Sequence, residues 1–339
     1  MVLGLSRRPP QRRRGGATPW ALGAVVSLVL VAVLWAVFGG NGPVSPGSGD
    51  DRNTEPRATD TQAADNVATE AQIEASKDVF GIRYIGRTLP GGTYWLSNWA
   101  GRRDFTGVDP NDPWFDADHG SGSYKVRNGT LQISGDVPRM YVYDPARKRQ
   151  WRDVEITMYF RRKADDGVPF AGMAAVARAN HLATEDGTDD LCDTRGYGAR
   201  VRFDGNIDFE KETSHPRNDS VSSTRYWSDG MPFDTWIGYK FLVYDTAAGV
   251  KLELWLDSTG GKDGGTWRKI NEVTDNGRLF GKAPCAEGID PMMALTNSPN
   301  RLGSESGKPN LTVYFRSDGI ATDGLDYKWG SIREIRGQP

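Results

Sequence analysis

Residues 197–216 read Tyr-Gly-Ala-Arg-Val-Arg-Phe-Asp-Gly-Asn-Ile-Asp-Phe-Glu-Lys-Glu-Thr-Ser-His-Pro, and this stretch decides the fold. Apolar and charged side chains alternate on both sides of Asp204-Gly205-Asn206, which is the pattern of two antiparallel strands joined by a short turn. A three-residue loop, with Asn206 in the left-handed conformation, pairs Phe203 with Ile207, Arg202 with Asp208, Val201 with Phe209 and Arg200 with Glu210. This register gives the hairpin one apolar face for a core and one face of paired charges.

The same alternation recurs along the chain after Val79. Runs rich in aromatic and β-branched residues occupy residues 154–161, 236–244, 250–256, 311–315 and 325–335. Residues 124–134 form a second hairpin candidate, with Asn128-Gly129 as the turn and Val126 opposite Leu131. Because no sustained helical period separates these runs, we predict an all-β fold, an antiparallel two-sheet jelly-roll sandwich over residues 79–339.

The N-terminal part of the chain predicts a membrane anchor. Residues 20–38 are 19 residues without a charge, long enough to cover about 28 Å as a helix, and Trp20 and Trp35 lie near their ends. Arginines in the basic tail 1–19 favour a cytoplasmic N-terminus, which places the C-terminal domain outside the cell membrane. A cleaved signal peptide is the alternative, but the apolar core exceeds the roughly 7–15 residues typical of one. Residues 39–77, rich in Gly, Pro, Ser and Thr, predict a flexible linker.

The charge distribution argues against nucleic acid as a partner. The chain carries a formal net charge of −2, while its first 19 residues contain five arginines and no acidic residue. The remainder is therefore acidic, and an acidic domain has no general attraction to phosphate backbones.

Two further features predict a disulfide and a possible metal site. Cys192 and Cys285 are the two cysteines of the chain, and on the exported side they can pair in one way; two unrelated buried thiols are the alternative. No cofactor is required by any motif. Oxygen ligands are concentrated in residues 109–120, where Ca²⁺ would find the candidate ligands Asp109, Asp112, Asp116 and Asp118, although Asx-Pro turns explain the same residues.

Several runs together resemble the concanavalin A-like lectin/glucanase superfamily. Residues 123–135 are similar to an early hairpin of that fold, residues 236–245, 250–257 and 266–269 to later strands, and residues 313–335 to its closing strands. The resemblance covers about residues 79–335 and implies two curved sheets whose concave face often binds glycans. Members include lectins, glucan hydrolases and polysaccharide lyases, so the fold alone does not select a function.

A catalytic interpretation places the chemistry at the end of the first hairpin. A lyase acting on uronic acids needs a base, an acid and a group that neutralises the substrate carboxylate. Tyr197, Glu212 and His215 are the candidate catalytic residues. The sequence departs from the catalytic members of the superfamily, because it has neither the Glu-x-Asp-x-x-Glu strand of the glucanases nor the Gln-x-His strand of the alginate lyases.

The candidate ligand-binding residues lie on two strands. Arg200, Arg202 and Glu210 belong to the charged hairpin face, where the alternative is that they form only cross-strand ion pairs. Along residues 250–256 the leucines alternate with Lys251, Glu253 and Trp255. A Trp on the polar side of a strand can stack against a sugar ring, and a Trp covered by a neighbouring loop is the alternative.

These observations predict a membrane-anchored, extracytoplasmic domain that recognises a polysaccharide. A polysaccharide lyase or glycoside hydrolase on the same fold is the second interpretation, and a structural envelope domain that binds protein is the third. The absence of a recognisable acid and base pair favours binding over catalysis.

Overall fold

The computed structural model describes residues 76–117, 122–179, 195–214, 217–280, 287, 290, 292–297 and 310–337. The predicted basic tail, membrane segment and nearly all of the linker lie outside these residues, as do Cys192, Cys285, His215 and Asp118. None of the described segments contains a helix that is long and apolar enough to cross a membrane.

The described residues form seventeen strands and one 3-10 turn, Lys262–Gly264. The strands are β1 Tyr94–Ser97, β2 Arg102–Phe105, β3 Gly107–Asp109, β4 Asp112–Ala117, β5 Ser123–Arg127, β6 Leu131–Gly135, β7 Arg139–Val142, β8 Val154–Arg162, β9 Gly172–Ala179, β10 Gly196–Arg202, β11 Asn206–Ser214, β12 Arg217–Arg225, β13 Ile237–Thr246, β14 Gly249–Asp257, β15 Arg268–Asp275, β16 Thr312–Arg316 and β17 Ile320–Glu334.

The strands form two antiparallel sheets. The first sheet has the order β15-β14-β13-β8-β17-β6-β5-β2, with β1 also paired to β17, and the second has the order β12-β11-β10-β9-β16-β7-β4-β3. Strands far apart in sequence pair directly, as β9 does with β16 and β8 with β17. The predicted all-β, antiparallel two-sheet sandwich is therefore confirmed for the described part of the chain.

The hydrophobic core lies between the two sheets, where alternate side chains of both sheets meet. Ile156, Met158 and Phe160 of β8 enter it from the first sheet, and Val313 and Phe315 of β16 enter it from the second. All five are fully buried. We call the opposite face of each sheet, which is turned away from this core, its outer face.

The hairpin β10–β11 has the predicted faces but a different register. Val201 pairs with Ile207 and Arg200 with Asp208, so that Val201 and Ile207 are the last paired residues before the turn. The register predicted from the sequence is wrong by two residues. Because side-chain direction alternates with a period of two, the shift leaves the apolar and the charged face unchanged.

A close backbone approach explains the wider turn. Gly205, rather than Asn206, has the positive φ, at 91°. Its carbonyl accepts hydrogen bonds from the backbone N–H groups of Tyr226 and Trp227. A Cβ on Gly205 would lie 2.2 Å from the carbonyl oxygen of Trp227, so this contact requires glycine.

The second predicted hairpin, β5–β6, is confirmed. Val126 pairs with Leu131. Asn128 and Gly129 both have positive φ, as a two-residue type I′ turn requires. The turn is closed by a hydrogen bond from the backbone N–H of Arg127 to the carbonyl of Thr130.

Candidate functional site on the outer face of the second sheet

Arginines from two strands that are distant in sequence meet on the outer face of the second sheet. Ala174 of β9 lies between them, because it pairs with Arg200 of β10 on one side and with Arg316 of β16 on the other. The small side chain of Ala174 leaves space between the two guanidinium groups. The resulting pocket, called the arginine pocket below, is lined by Phe170, Ala174, Arg200, Arg202, Arg316 and Asp318, among others.

Carboxylates hold each arginine of the pocket in place. Arg200 donates from Nε to Oδ1 of Asp208 at 2.6 Å and from Nη2 to Oδ2 at 2.8 Å. Arg316 lies between two acidic groups, with Nη1 3.1 Å from Oε1 of Glu210 and Nη2 3.6 Å from Oδ2 of Asp318. Such forked contacts fix the plane of a guanidinium group.

The three guanidinium groups are partly open to solvent, and those of Arg200 and Arg316 stay charged. The exposed side-chain fractions are 17% for Arg200, 21% for Arg202 and 14% for Arg316. Burial lowers the pKa of Arg316, but Glu210 and Asp318 outweigh this effect and hold it above its ordinary value. The pocket therefore presents permanent cations at every physiological pH.

Beside the pocket, two tyrosine side chains are buried although they project from the outer face. The acidic side chains of β11 are buried there as well. The rings of Tyr141 and Tyr314 stack with centroids 5.0 Å apart. Burial raises the pKa of Tyr141 well above its ordinary value, and the neighbouring Tyr314 raises it further. Both phenols are therefore protonated at neutral pH, a state that suits hydrogen-bond donation and not proton abstraction.

Glu210 lies across the same face because its strand neighbour has no side chain. It pairs with Gly198, and a Cβ on Gly198 would lie 2.6 Å from Cγ of Glu210. The glycine lets Glu210 reach the guanidinium groups of Arg200 and Arg316, at 3.4 Å and 3.1 Å. One carboxylate thereby connects two arginines of the pocket.

The structure brings four of the sequence-predicted residues to this face and adds two more. Arg200, Arg202, Glu210 and Glu212 share the outer face, since the residues alternating with them enter the core. Arg316 and Phe170 were not predicted as site residues. The alternation of residues 312–316 places Arg316 and Tyr314 on one strand face, but the sequence does not show that β16 neighbours β9.

Tyr197 lies elsewhere, inside the sandwich. Its hydroxyl donates to Oδ2 of Asp275 at 2.5 Å and accepts from the backbone N–H of Leu295 at 2.9 Å. Burial and the adjacent carboxylate raise its pKa well above the ordinary value. Tyr197 thus packs in the core and does not share a face with the arginines, while His215 lies outside the described residues.

The predicted stacking residue Trp255 belongs to the other sheet. Leu252 and Leu254 enter the core, so Lys251, Glu253 and Trp255 project from the outer face of the first sheet. Trp255 is half-buried, and its indole N–H donates to Oε2 of Glu253 at 2.9 Å. The two groups of predicted ligand-binding residues therefore lie on opposite outer faces and do not form one site.

The predicted calcium ligands make protein contacts. Asp109 forms a two-pronged ion pair with Arg103, and Asp112 accepts hydrogen bonds from the indole of Trp95 and the backbone of Trp114. Burial raises the pKa of Asp112 to about 6. Asp116 accepts from the hydroxyl of Tyr143 at 3.0 Å.

These contacts leave the calcium site a prediction. Within the described residues, no group of three or more His, Cys, Asp or Glu side chains is arranged to hold a metal ion. The fourth candidate, Asp118, lies outside the described residues, so the predicted set of four ligands is not tested.

Solved structures similar to this chain include lectins. The exoplasmic/lumenal domain of VIP36 in a Ca²⁺/Man3GlcNAc-bound form is 11% identical, with 72% of this chain and 92% of that chain covered and a TM-score of 0.41. Lectin II from Ulex europaeus is 13% identical, with 69% and 97% covered and a TM-score of 0.38. A legume lectin-like domain from Entamoeba histolytica is 11% identical, with 68% and 97% covered and a TM-score of 0.36.

No family model matches the chain, and no curated protein matches it. The three structures named above are described as a lectin, a lectin-like domain and a domain bound to Ca²⁺ and a mannose-containing sugar. At these identities and scores the likeness concerns the fold alone. The strand pairings described above define the two-sheet sandwich independently of it.

Proposed function

We propose that this chain is a membrane-anchored, extracytoplasmic domain that binds an acidic polysaccharide at the arginine pocket. One observation carries the proposal: three guanidinium groups converge on a partly open pocket beside the exposed ring of Phe170. A uronic acid offers the two features that match, a carboxylate for the arginines and an apolar ring face for the phenylalanine.

The carboxylates around the pocket support binding by prearranged geometry. Asp208, Glu210 and Asp318 neutralise much of the arginine charge and fix the guanidinium groups before a ligand arrives. Prearranged donors lose little side-chain entropy on binding. Selectivity then comes from matching the planar fork of an arginine to a planar carboxylate and not from a large positive field.

The membrane placement is a separate part of the proposal and rests on the sequence. The 19 uncharged residues 20–38 follow a basic tail, the arrangement that keeps an N-terminus in the cytoplasm. The test is fractionation followed by protease treatment of intact cells. We expect the chain in the membrane fraction and its C-terminal domain digested from outside. Recovery of the chain in the soluble fraction contradicts the anchor.

The binding test compares two arginine variants with a matched lysine control. Arg202→Met removes a pocket cation whose nearer partner, Asp204, is partly exposed and whose longer-range partner, Asp208, keeps two hydrogen bonds from Arg200, so the fold should tolerate it. Hydrogen bonds to charged groups contribute ~1.5–3 kcal/mol, so we expect affinity for oligogalacturonate or oligoglucuronate to fall by about 10-fold or more. Arg202→Lys keeps the charge but loses the forked geometry of the guanidinium. Its affinity should lie between the affinities of the unaltered chain and of Arg202→Met.

The control is Lys125→Met, which removes an exposed lysine paired with Asp323 on the first sheet. It should leave affinity unchanged, and a neutral glucan oligomer should bind none of the variants. Equal binding by Arg202→Met and the unaltered chain, measured calorimetrically, refutes the arginine pocket as the site.

A lyase remains the second interpretation, and the tyrosine pair argues against it. Abstraction of a sugar proton by a tyrosine needs a phenolate, whereas burial keeps Tyr141 and Tyr314 protonated. The same acidic oligosaccharides provide the test, since lyase products absorb in the near ultraviolet. We expect no increase in absorbance during incubation with the chain. A steady increase that is lost in Tyr314→Phe establishes catalysis instead.

A further inference from the structure

A cluster on the outer face of the first sheet surrounds one lysine with aromatic rings. The Nζ atom of Lys328 lies 3.8 Å from the ring centroid of Trp329, 4.5 Å from that of Trp236 and 5.6 Å from that of Tyr159. The guanidinium of Arg161 also lies over Trp236, at 4.5 Å. We call these five residues the lysine cage.

The cage depends on a distortion of strand β17. Adjacent residues of a regular strand point to opposite faces, yet Lys328 and Trp329 contact each other on the same face. A β-bulge between Lys328 and Ser331 interrupts the pairing with β8, and Trp329 has a φ of 54°. Positive φ is strained for a bulky side chain, and bulges commonly redirect side chains at binding sites.

The backbone distortion gathers the rings around the ammonium group, which has no acceptor among the described residues. Lys328 makes no ion pair with a carboxylate within the described part of the chain, although its Nζ is not fully buried. The acidic groups nearby are engaged elsewhere: Asp326 binds Arg161, Asp257 accepts from the hydroxyl of Tyr159, and Asp78 accepts from the backbone of Phe80 and Ile82.

We propose that the lysine cage is a second binding site, in which the Lys328 ammonium pairs with a carboxylate group of a ligand. The surrounding rings displace water, so an ion pair formed there is stronger than one on an open surface. Arg161, whose guanidinium also lies over the ring of Trp236, adds a second donor. That the carboxylate belongs to a sugar acid rests on the proposed function, whereas the need for an anion rests on the cage alone.

The same geometry gives the site a pH dependence. Burial and the positive charge of Arg161 lower the pKa of Lys328 to about 8. The ammonium form, which binds the anion, therefore prevails below about pH 8 and is lost as the pH rises through that value. A bound carboxylate favours the ammonium and shifts its titration to higher pH.

The experiment uses the full-length chain with acetate and oligogalacturonate as probes. Acetylation of Lys328 by acetic anhydride, followed by mass spectrometry across pH 6–11, reports its titration. We expect half-maximal labelling near pH 8 without ligand. With saturating ligand we expect a shift of about one pH unit upward, equivalent to about tenfold tighter binding to the charged form. A response to acetate identifies a small-carboxylate site, and a response to oligogalacturonate alone identifies a sugar-acid site.

Four variants separate this site from the arginine pocket. Lys328→Met should lose one of two calorimetric binding events. Lys328→Arg should retain both events, and its affinity should not fall above pH 8. Arg202→Met should leave the labelling shift intact, so the cage can be confirmed even where the arginine pocket fails. Lys125→Met, on the same outer face but paired with Asp323, is the matched control and should change neither readout. A labelling profile that neither probe alters overturns the proposal.

Discussion

On the outer face of the first sheet, Glu155 and Lys240 are buried beneath the segment 77–93, whereas on the outer face of the second sheet Arg200 and Arg316 line an open pocket. Glu155 accepts from Nζ of Lys240 at 2.6 Å, from an Nη of Arg333 at 2.6 Å and from the backbone N–H of Gly86 at 2.7 Å. Both sheets thus carry paired charges on an outer face, but among the described residues only the charges of the first sheet are covered by another segment.

The difference separates charges whose hydrogen bonds are satisfied within the protein from charges that remain partly accessible to solvent. A roofed ion pair must satisfy every buried donor and acceptor internally, because water cannot reach it. A partly open ion pair keeps donors that a ligand can use. Coverage by a distant segment, and not the charge pattern of the strand itself, therefore distinguishes the Glu155 cluster from the arginine pocket.

The largest effect is expected from removing one roofed charge. Lys240→Met leaves Glu155 buried with one cation fewer, and breaking a buried pair costs about 3–5 kcal/mol. Lys251→Met removes a lysine of the more exposed pair with Glu272 and should cost less than about 1 kcal/mol. Urea unfolding followed by circular dichroism measures both. Equal losses would falsify the distinction between roofed and open charges.

Acid should act on the same cluster. Burial alone would raise the pKa of Glu155, but Arg333 and Lys240 outweigh it and lower the pKa from 4.5 to about 2. Since the folded-state pKa is depressed, its stabilisation is present above about pH 4.5 and is lost as the pH falls towards 2, with a size on the order of 3 kcal/mol. Unfolding free energies measured across this window should fall less steeply in Glu155→Gln than in the unaltered chain; parallel slopes contradict the assignment.

A smaller effect is expected from the turns of the two hairpins. In Gly205→Ala of the second sheet, the alanine would have a positive φ, and its Cβ would lie 2.2 Å from a carbonyl oxygen. The free energy of unfolding should fall by about 1–3 kcal/mol. Gly129→Ala in the first sheet meets positive φ alone, with its nearest atom 3.7 Å away, and should cost about 1 kcal/mol. Thermal unfolding ranks the two variants. If Gly129→Ala were less stable than Gly205→Ala, residues 226–227 would have to move away from the new Cβ at position 205 without cost.

The smallest effect is expected from Trp255→Ala. Trp255 projects from the outer face of the first sheet, on the opposite side of the sandwich from the arginine pocket. Calorimetry with oligogalacturonate should therefore give an affinity at the arginine pocket within about twofold of the unaltered chain, well inside the cost of a lost charged hydrogen bond. A tenfold loss there would mean that the two outer faces act as one site.

The sequence predicts the local features of this fold well, because they depend on neighbouring residues. Alternation in residues 197–216 assigns the faces of β10 and β11, and Asn128-Gly129 specifies its own turn and register. The register of β10–β11 escapes prediction because Tyr226 and Trp227, from beyond the next strand, widen the turn at Gly205.

The site is predicted only in part because it joins strands that are distant in sequence. Arg200 and Arg202 could be proposed from their own hairpin. Arg316 joins them only because β16 lies next to β9, and no local pattern encodes that pairing. Trp255 was correctly placed on the polar side of its strand, but the sequence does not show which sheet that strand enters.

The roof over the first sheet also bears on how the chain reaches its folded state. Arg333 donates to the carbonyl of Gly86 across 247 positions, and strand β1 pairs with β17 near the chain's end. Non-local contacts of this kind make folding slow, because loop closure must precede the pairing. A chain synthesised from its N-terminus cannot complete the Glu155 cluster until Arg333 has emerged. Completion of this cluster is thereby deferred until β17 has been synthesised, and a truncated chain lacking β17 leaves Glu155 without one of its two cations and should be cleared as unfolded protein.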